Sequence, residues 1–153
     1  MANGMTLLGD KQLERVFKTL GDRVQRKVTR QAVNTAATPV LRSARAKVPN
    51  RSGLTKKSLG KKVKTYKQSS TVVALVGPKT NVVGEVDGKK HWPAKIAHLV
   101  EGGHLNSDGS MTPPHPFLRP AFDQSQGEAM NVLKTKLGEG VEREAKKAAG
   151  GGA

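Results

Sequence analysis

From Asp10 onward, apolar residues recur at Leu13, Val16, Phe17, Leu20, Val24 and Val28, then at Ala32, Val33 and Ala36. Steps of three and four residues put them on one helical face, and Asp10 suits the start of such a helix. Lys11, Arg15, Lys18, Arg26 and Arg30 fall mostly off that face, so the helix should bury one side and show a basic one. Pro39 removes a backbone donor and disfavours helix at Thr38. Val40, Leu41 and Ala44 nevertheless continue the stripe until Pro49 ends it. The pattern predicts helix over 10–47 with a kink or restart at Pro39.

The period then changes to two. Val63-Lys64-Thr65-Tyr66 alternates like a half-exposed strand, and Thr71 to Val76, closed by Gly77-Pro78, reads as its hairpin partner across Gln68 to Ser70. Val82 to Val86 adds a short strand before the turn signal Asp87-Gly88-Lys89-Lys90. Pro93 to Val100 fits a short helix or a strand. Gly102 to Pro116 holds glycines, prolines, Asn106 and Asp108 and reads as a long irregular loop, a kind of segment that in a small domain usually carries function or disorder. Phe122, Met130, Leu133, Leu137 and Val141 space like a second helix, weakened by Gly127, Gly138 and Gly140. The fold class expected is α+β: a long kinked N-terminal helix, a small antiparallel sheet of three to four strands, a C-terminal helix and one long loop. A single domain is expected over 10–148, with a flexible N-terminus over 1–9 and a disordered tail over 149–153. There is no internal repeat.

Composition narrows what this fold can do. The 153 residues suffice for one core, and Leu, Ile, Val and Phe together number 33, so that core should be thin. The 27 Lys and Arg against 12 Asp and Glu give +15, and residues 1–67 hold 17 of the cations against three carboxylates. Partners should therefore be acidic, and the N-terminal part should face them. A solvated helix face would show the same residues. With no cysteine, disulfides, thiolate zinc sites and Cys nucleophiles are excluded. No apolar run approaches the ~18 residues of a membrane span, and Met1 to Asp10 lacks a signal peptide's layout, so no membrane partner is expected.

Candidate chemistry is sparse. His98, Glu101 and His104 offer zinc-compatible ligand types, with His91 and His115 nearby, but Gly102 and Gly103 would break a helix before His104, and the spacing does not match a zincin. A metallohydrolase on these three residues ranks last among the readings. Gly84 to Lys90 has one residue too few between its glycines for a phosphate-binding loop, and no serine sits in a nucleophile elbow. Neither an enzyme nor a cofactor is expected. Arg42, Arg45, Lys47, Arg51, Lys56, Lys57, Lys61, Lys62 and Lys64 form a candidate basic surface for DNA or an acidic partner. Phosphate contacts need only charge, whereas aromatics at 3% of the chain argue against base stacking.

Three segments in order, Ala46 to Ser58, Ile96 to Gly103 and Pro114 to Phe122, resemble the small tail-completion, or head-tail joining, proteins of long-tailed double-stranded DNA bacteriophages. The residues that carry the likeness are Pro49, Gly53 and Leu54, then Glu101, Gly102 and Gly103, then Pro116, Phe117, Leu118, Arg119 and Pro120, and it spans most of residues 10–135. The sequence departs from the family pattern at Gly102, where an aromatic is usual, and at His104. Read physically, Pro49 ends the helix, Gly53 permits a turn, Leu54 plugs the sheet edge, and Phe117 and Leu118 anchor the last helix, with Arg119 seeking a carboxylate such as Glu101. Core packing alone would also account for Phe117 and Leu118.

The resemblance implies a structural protein of the virion's tail or neck, assembled in the host cytoplasm. Six-fold ring assembly from identical copies is implied, as are partners in a tail terminator or tube protein and in a head connector or head completion protein, with non-specific contact to packaged DNA. The Gly102 to Pro116 loop is expected to reach a neighbouring copy. The alternative is a non-specific basic DNA-binding protein, which the charge supports and the order of the three segments does not.

Overall fold

The computed structural model describes residues 10–150; the expected flexible N-terminus over 1–9 and the last three residues lie outside them. The chain is α+β, ordered α1 (Asp10–Thr19), α2 (Asp22–Lys47), α3 (Leu54–Ser58), β1 (Leu59–Tyr66), β2 (Thr71–Pro78), β3 (Gly84–Val86), β4 (Lys89–His91), α4 (Pro93–Gly102), β5 (His104–Leu105), β6 (Met111–Thr112) and α5 (Leu118–Gly150).

The N-terminal helix breaks at Leu20-Gly21, not at Pro39. Gly21 is extended (φ −64°, ψ 150°) and opens α2, and the Gln25 side chain donates to the Leu20 carbonyl at 2.7 Å, satisfying an acceptor exposed by the break. Pro39 sits buried inside α2. At the turn before it, Lys61 donates from Nζ to the Asn34 carbonyl at 2.6 Å and to Thr38 Oγ1 at 2.7 Å, while the carbonyl that the proline ring itself leaves without a ladder donor is that of Thr35.

α2 and α5 lie antiparallel, as the pairs Arg42 with Glu128 and Lys27 with Glu144 require. α5 runs unbroken through Gly127, Gly138 and Gly140 and continues to Gly150, past the expected start of a tail at residue 149. Gly140 has a packing reason. A Cβ there would stand 2.7 Å from Val28 Cγ1, so the missing side chain lets the helices close. The expected stripe on this helix holds only in part: Val141 is buried, but Phe122 and Met130 are 54% and 39% exposed.

The single sheet of three to four strands is replaced by three separate two-stranded antiparallel hairpins. Each pairs neighbours in sequence, and β2 ends at Pro78, which has no N–H to extend a ladder. β1 and β2 pair from Leu59↔Pro78 to Tyr66↔Thr71. Their inner face, Leu59, Lys61, Val63, Thr65, Val72, Ala74 and Val76, covers α2, while Lys62, Lys64 and Tyr66 point outward. The long loop from Gly102 to Pro116 is also ordered. It folds as the β5–β6 hairpin, closed by Asn106 N–H donating to the Ser110 carbonyl at 2.8 Å and by Gly109 at φ 82°.

The core sits at one end of the helix pair. Leu41, Ala44, Val48, Leu59, Ala97, Phe117 and Ala121 form one buried cluster, with Val76, Val100 and Leu118 against it. Phe117 is its largest fully buried side chain. Among the described residues no helix is long and apolar enough to cross a membrane.

Candidate functional site

The three segments singled out in the sequence, far apart along the chain, meet around that core. In the first, Val48 terminates α2 with its N–H on the Ala44 carbonyl at 2.9 Å, Pro49 follows, and Gly53 turns the chain at φ 71° into α3. α3 itself was not foreseen; five residues are too few to show a helical period. Leu54 packs over β3 at Gly84, where a Cβ would lie only 2.4 Å from Leu54 Cδ1. In place of the expected plug at the sheet edge, the leucine lies over Gly84 of the β3–β4 hairpin, where glycine leaves the space.

The second and third segments are joined by Glu101. One carboxylate oxygen accepts N–H bonds from Phe117 at 2.8 Å and Leu118 at 3.1 Å, and the other accepts from Arg119 at 3.0 Å. These donors have no partner inside α5, so a carboxylate from α4 caps the longest helix in the molecule. Burial alone would raise the Glu101 pKa, but the three N–H bonds and the Arg119 charge outweigh it and hold it below the ordinary value. The expected ion pair of the Arg119 side chain with Glu101 is not formed: Arg119 reaches the carboxylate through its backbone N–H, and the guanidinium adds only its field. Gly103 completes the junction at φ 71°, where a Cβ would stand 2.8 Å from the Thr112 carbonyl oxygen. His115 N–H donates to the Val100 carbonyl at 2.8 Å. A cavity of about 470 Å³ lies between the segments, lined by Pro49, Leu54, Ile96, Val100, His104 and His115 among others.

This geometry commits the Glu101 carboxylate to three N–H donors of the α5 N-terminus. Among the described residues no group of three or more His, Asp or Glu is placed to hold a metal ion. Gly84 to Lys90 is the β3–β4 hairpin, turning at Asp87 (φ 52°) and Gly88 (φ 73°); it opens no helix and so lacks the amide nest of a phosphate loop.

The nine residues of the expected basic surface divide. Arg42 pairs with Glu128 at 2.6 Å, Arg45 donates to the Leu59 carbonyl at 2.9 Å, and Lys61 lies along α2. These three fasten α2 to its neighbours. Arg51, Lys56, Lys57, Lys62 and Lys64 are exposed, and Lys47 is half-buried. Lys62 and Lys64 stand on the outer face of β1 beside Leu75, and with Lys61 and Lys79 they border a groove of about 590 Å³. The strand period explains the split, since alternation sends Lys61 inward and Lys62 and Lys64 outward.

A second basic feature lies at the opposite end of the helix pair. Arg23, Arg26, Lys27 and Arg30 of α2 face Lys67 and Thr65 across a cleft of about 410 Å³. The i, i+3, i+4, i+7 spacing of the first four was visible in the sequence, but only the β1–β2 pairing brings Lys67 to them. Lys27 is tied to Glu144 at 3.4 Å, beside Lys147 at 3.4 Å and Arg143 at 3.7 Å. Burial pushes the Glu144 pKa up, and the bonds and charges of Lys27 and Lys147 bring it below its ordinary value.

Apolar surface is also left open. An apolar groove of about 680 Å³ runs between α2, β2 and α5, lined by Val33, Ala36, Val40, Val76, Phe122 and Leu133 among others. At the β5–β6 hairpin, Leu105 and Met111 are cross-strand partners exposed by 68% and 75%. Periodicity hides such positions, because exposure of a large apolar side chain is decided by what fails to cover it.

A family model named HK97-gp10_like, whose description reads "Bacteriophage HK97-gp10, putative tail-component", matches residues 11–103. That span contains the first two of the three segments and ends at Gly103. No curated protein and no solved structure matches the chain.

Proposed function

Because this chain belongs to the HK97-gp10-like family of bacteriophage tail components, we propose that it is a structural protein that completes the head-proximal end of the tail and joins it to the head connector. It does so by assembling with its own copies into a closed ring. The observation that carries this reading is the apolar surface left open on a thin core: the groove beside Phe122 and the Leu105–Met111 pair lie on different elements of one chain. Patches of this kind on a small soluble domain mark contacts with other chains. Two unlike patches on identical copies suit heterologous contacts, which close into rings when the rotation permits. The β5–β6 hairpin is the arm that reaches the neighbour.

The family-motif residues act as scaffold in this account. Pro49, Gly53, Leu54, Gly103, Phe117 and Glu101 fix the junction that aims the hairpin, while Gly102, Pro116, Leu118, Arg119 and Pro120 carry the chain across it. Exposed Arg51, Lys56, Lys57, Lys62 and Lys64, with Lys47, face an acidic tail or connector protein, and their exposure supports that role. The role is in contacts, with no cofactor or reaction. Light scattering on the purified protein, alone and with isolated tails or connectors, tests it. Joining of copies on a tail or connector is expected; a chain that stays single with both would overturn the reading.

A further inference from the structure

We infer that the cleft between α2 and the β1–β2 turn is a binding site for the phosphate backbone of duplex DNA. Arg23, Arg26, Lys27, Arg30, Lys67 and Thr65 are its lining residues, so among the described residues no aliphatic or aromatic residue and no carboxylate lines it. Arg23, Arg26, Arg30 and Lys67 have no carboxylate within 4.0 Å among the described residues. Two acidic residues lie near the lining: Glu144, which Lys27 shares with Lys147 and Arg143, and Asp22, whose backbone carbonyl accepts from Arg26 Nε at 3.2 Å. The adjoining cleft shares Arg26 and Lys67 and is lined by Phe17, Asp22, Gln25, Thr29, Ser70 and Val72 as well.

The chemistry selects among polyanions. A protein partner gains most of its hold from buried aromatic and aliphatic side chains at the interface centre, whereas the apolar part of this lining is only the methylene stems of its arginines and lysines. A phosphate backbone needs cations and hydrogen-bond donors alone. Three of the five cations are arginines, whose planar forks take phosphate oxygens in pairs. Arg23 to Arg30 spans about 10 Å of helix, close to the axial rise of three base steps at about 3.4 Å each, which takes in four successive phosphates of one strand. Arg30 is already steadied by its bond from Nη1 to Thr65 Oγ1 at 3.2 Å, so less freedom is lost on binding. No aromatic side chain lines the cleft itself, so base stacking is absent and the contact is blind to sequence.

This inference goes beyond the ring reading and stands without it, because binding is read on the free chain. The test is fluorescence anisotropy of a labelled duplex with the full-length protein over a salt series. The variant R23Q/R26Q/R30Q is compared with the charge-matched K89Q/K90Q/K95Q, whose lysines are exposed and lie away from the cleft and from the basic surface on β1 and α3, and circular dichroism checks folding. Loss of three phosphate contacts should make the slope of log affinity against log salt shallower by about 2.7 for the first variant, with the second indistinguishable from the unaltered protein. K67Q, which removes an exposed side chain, should lose about 0.9 of slope and keeps the test valid if the triple variant fails to fold. Equal losses in both triple variants, or an unchanged slope in R23Q/R26Q/R30Q or K67Q, would overturn the site. Displacement of the duplex by polyglutamate at equal charge concentration would overturn the choice of DNA over acidic protein.

Discussion

The two ends of the α2–α5 pair are held together by different means. At the C-terminal end of α2, Phe117, Leu59, Leu41 and Val48 are buried together and Glu101 caps α5 from another helix. At the N-terminal end the contact is made by small residues, Val28 and Ala32 against Gly140 and Val141, ringed by Lys27, Arg143 and Glu144. The first end holds through volume and a directed carboxylate, the second through close approach of two backbones. A thin core can serve a long molecule this way, and the end that needs little apolar bulk is the one free to carry arginines.

Substitutions break or sharpen this contrast in order of size. Phe117→Ala removes the largest buried side chain of the packed end and should cost about 3–5 kcal/mol, read by chemical denaturation. A cost below that of the substitutions that follow would show that the ends do not differ as described. Gly140→Val forces a side chain against fully buried Val28 and should cost about 1–3 kcal/mol by overpacking. Gly138→Ala, two residues away with nothing within 4 Å of the added Cβ, should instead stabilise by about 0.5–1 kcal/mol. Opposite signs within one helical turn would tie the effect to packing and not to helix propensity.

Glu101→Gln keeps the shape of the cap and removes its charge, with an expected cost of about 1–2 kcal/mol. The Glu101 pKa is lower folded than unfolded, so its contribution is full above the ordinary carboxylate value of 4.5 and is lost as pH falls through the folded one. Melting curves taken downward from neutral pH should converge for the two proteins in acid. A constant gap would mean that the carboxylate charge is not what caps α5. The smallest effect is expected for Arg42→Ala: its pair with Glu128 is solvent-exposed on both sides, and the change should stay within about 1 kcal/mol and shrink with added salt.

Much of this was legible in the residue pattern where the signal is local. Alternation from Val63 to Tyr66 and the β-branched run from Thr71 gave the β1–β2 hairpin and its turn, and the three- and four-residue steps gave the long helices. What failed was decided across the chain. Pro39 reads as a kink yet sits buried inside an unbroken α2, and the break falls instead at Gly21, across which the apolar stripe continues. Three short strand pairs could not be told from one sheet, because pairing order leaves no trace in period two. Pro49 and Gly53 were legible as a helix end and a turn and Glu101 stood out by resemblance, yet that Glu101 would cap α5 through backbone N–H groups needed the fold. The arginine cleft was half visible as a helix face and incomplete without Lys67.

In the proposed role, copies of this chain close a ring at the head-proximal end of the tail through the Phe122 groove and the β5–β6 hairpin. Electron cryomicroscopy of the assembled particle's neck would show this. A closed ring of this chain between tail and connector is expected, with Leu105 and Met111 of each copy buried against the next. Density for the chain elsewhere in the tail, or in the neck with the groove and hairpin both open to solvent, would contradict it.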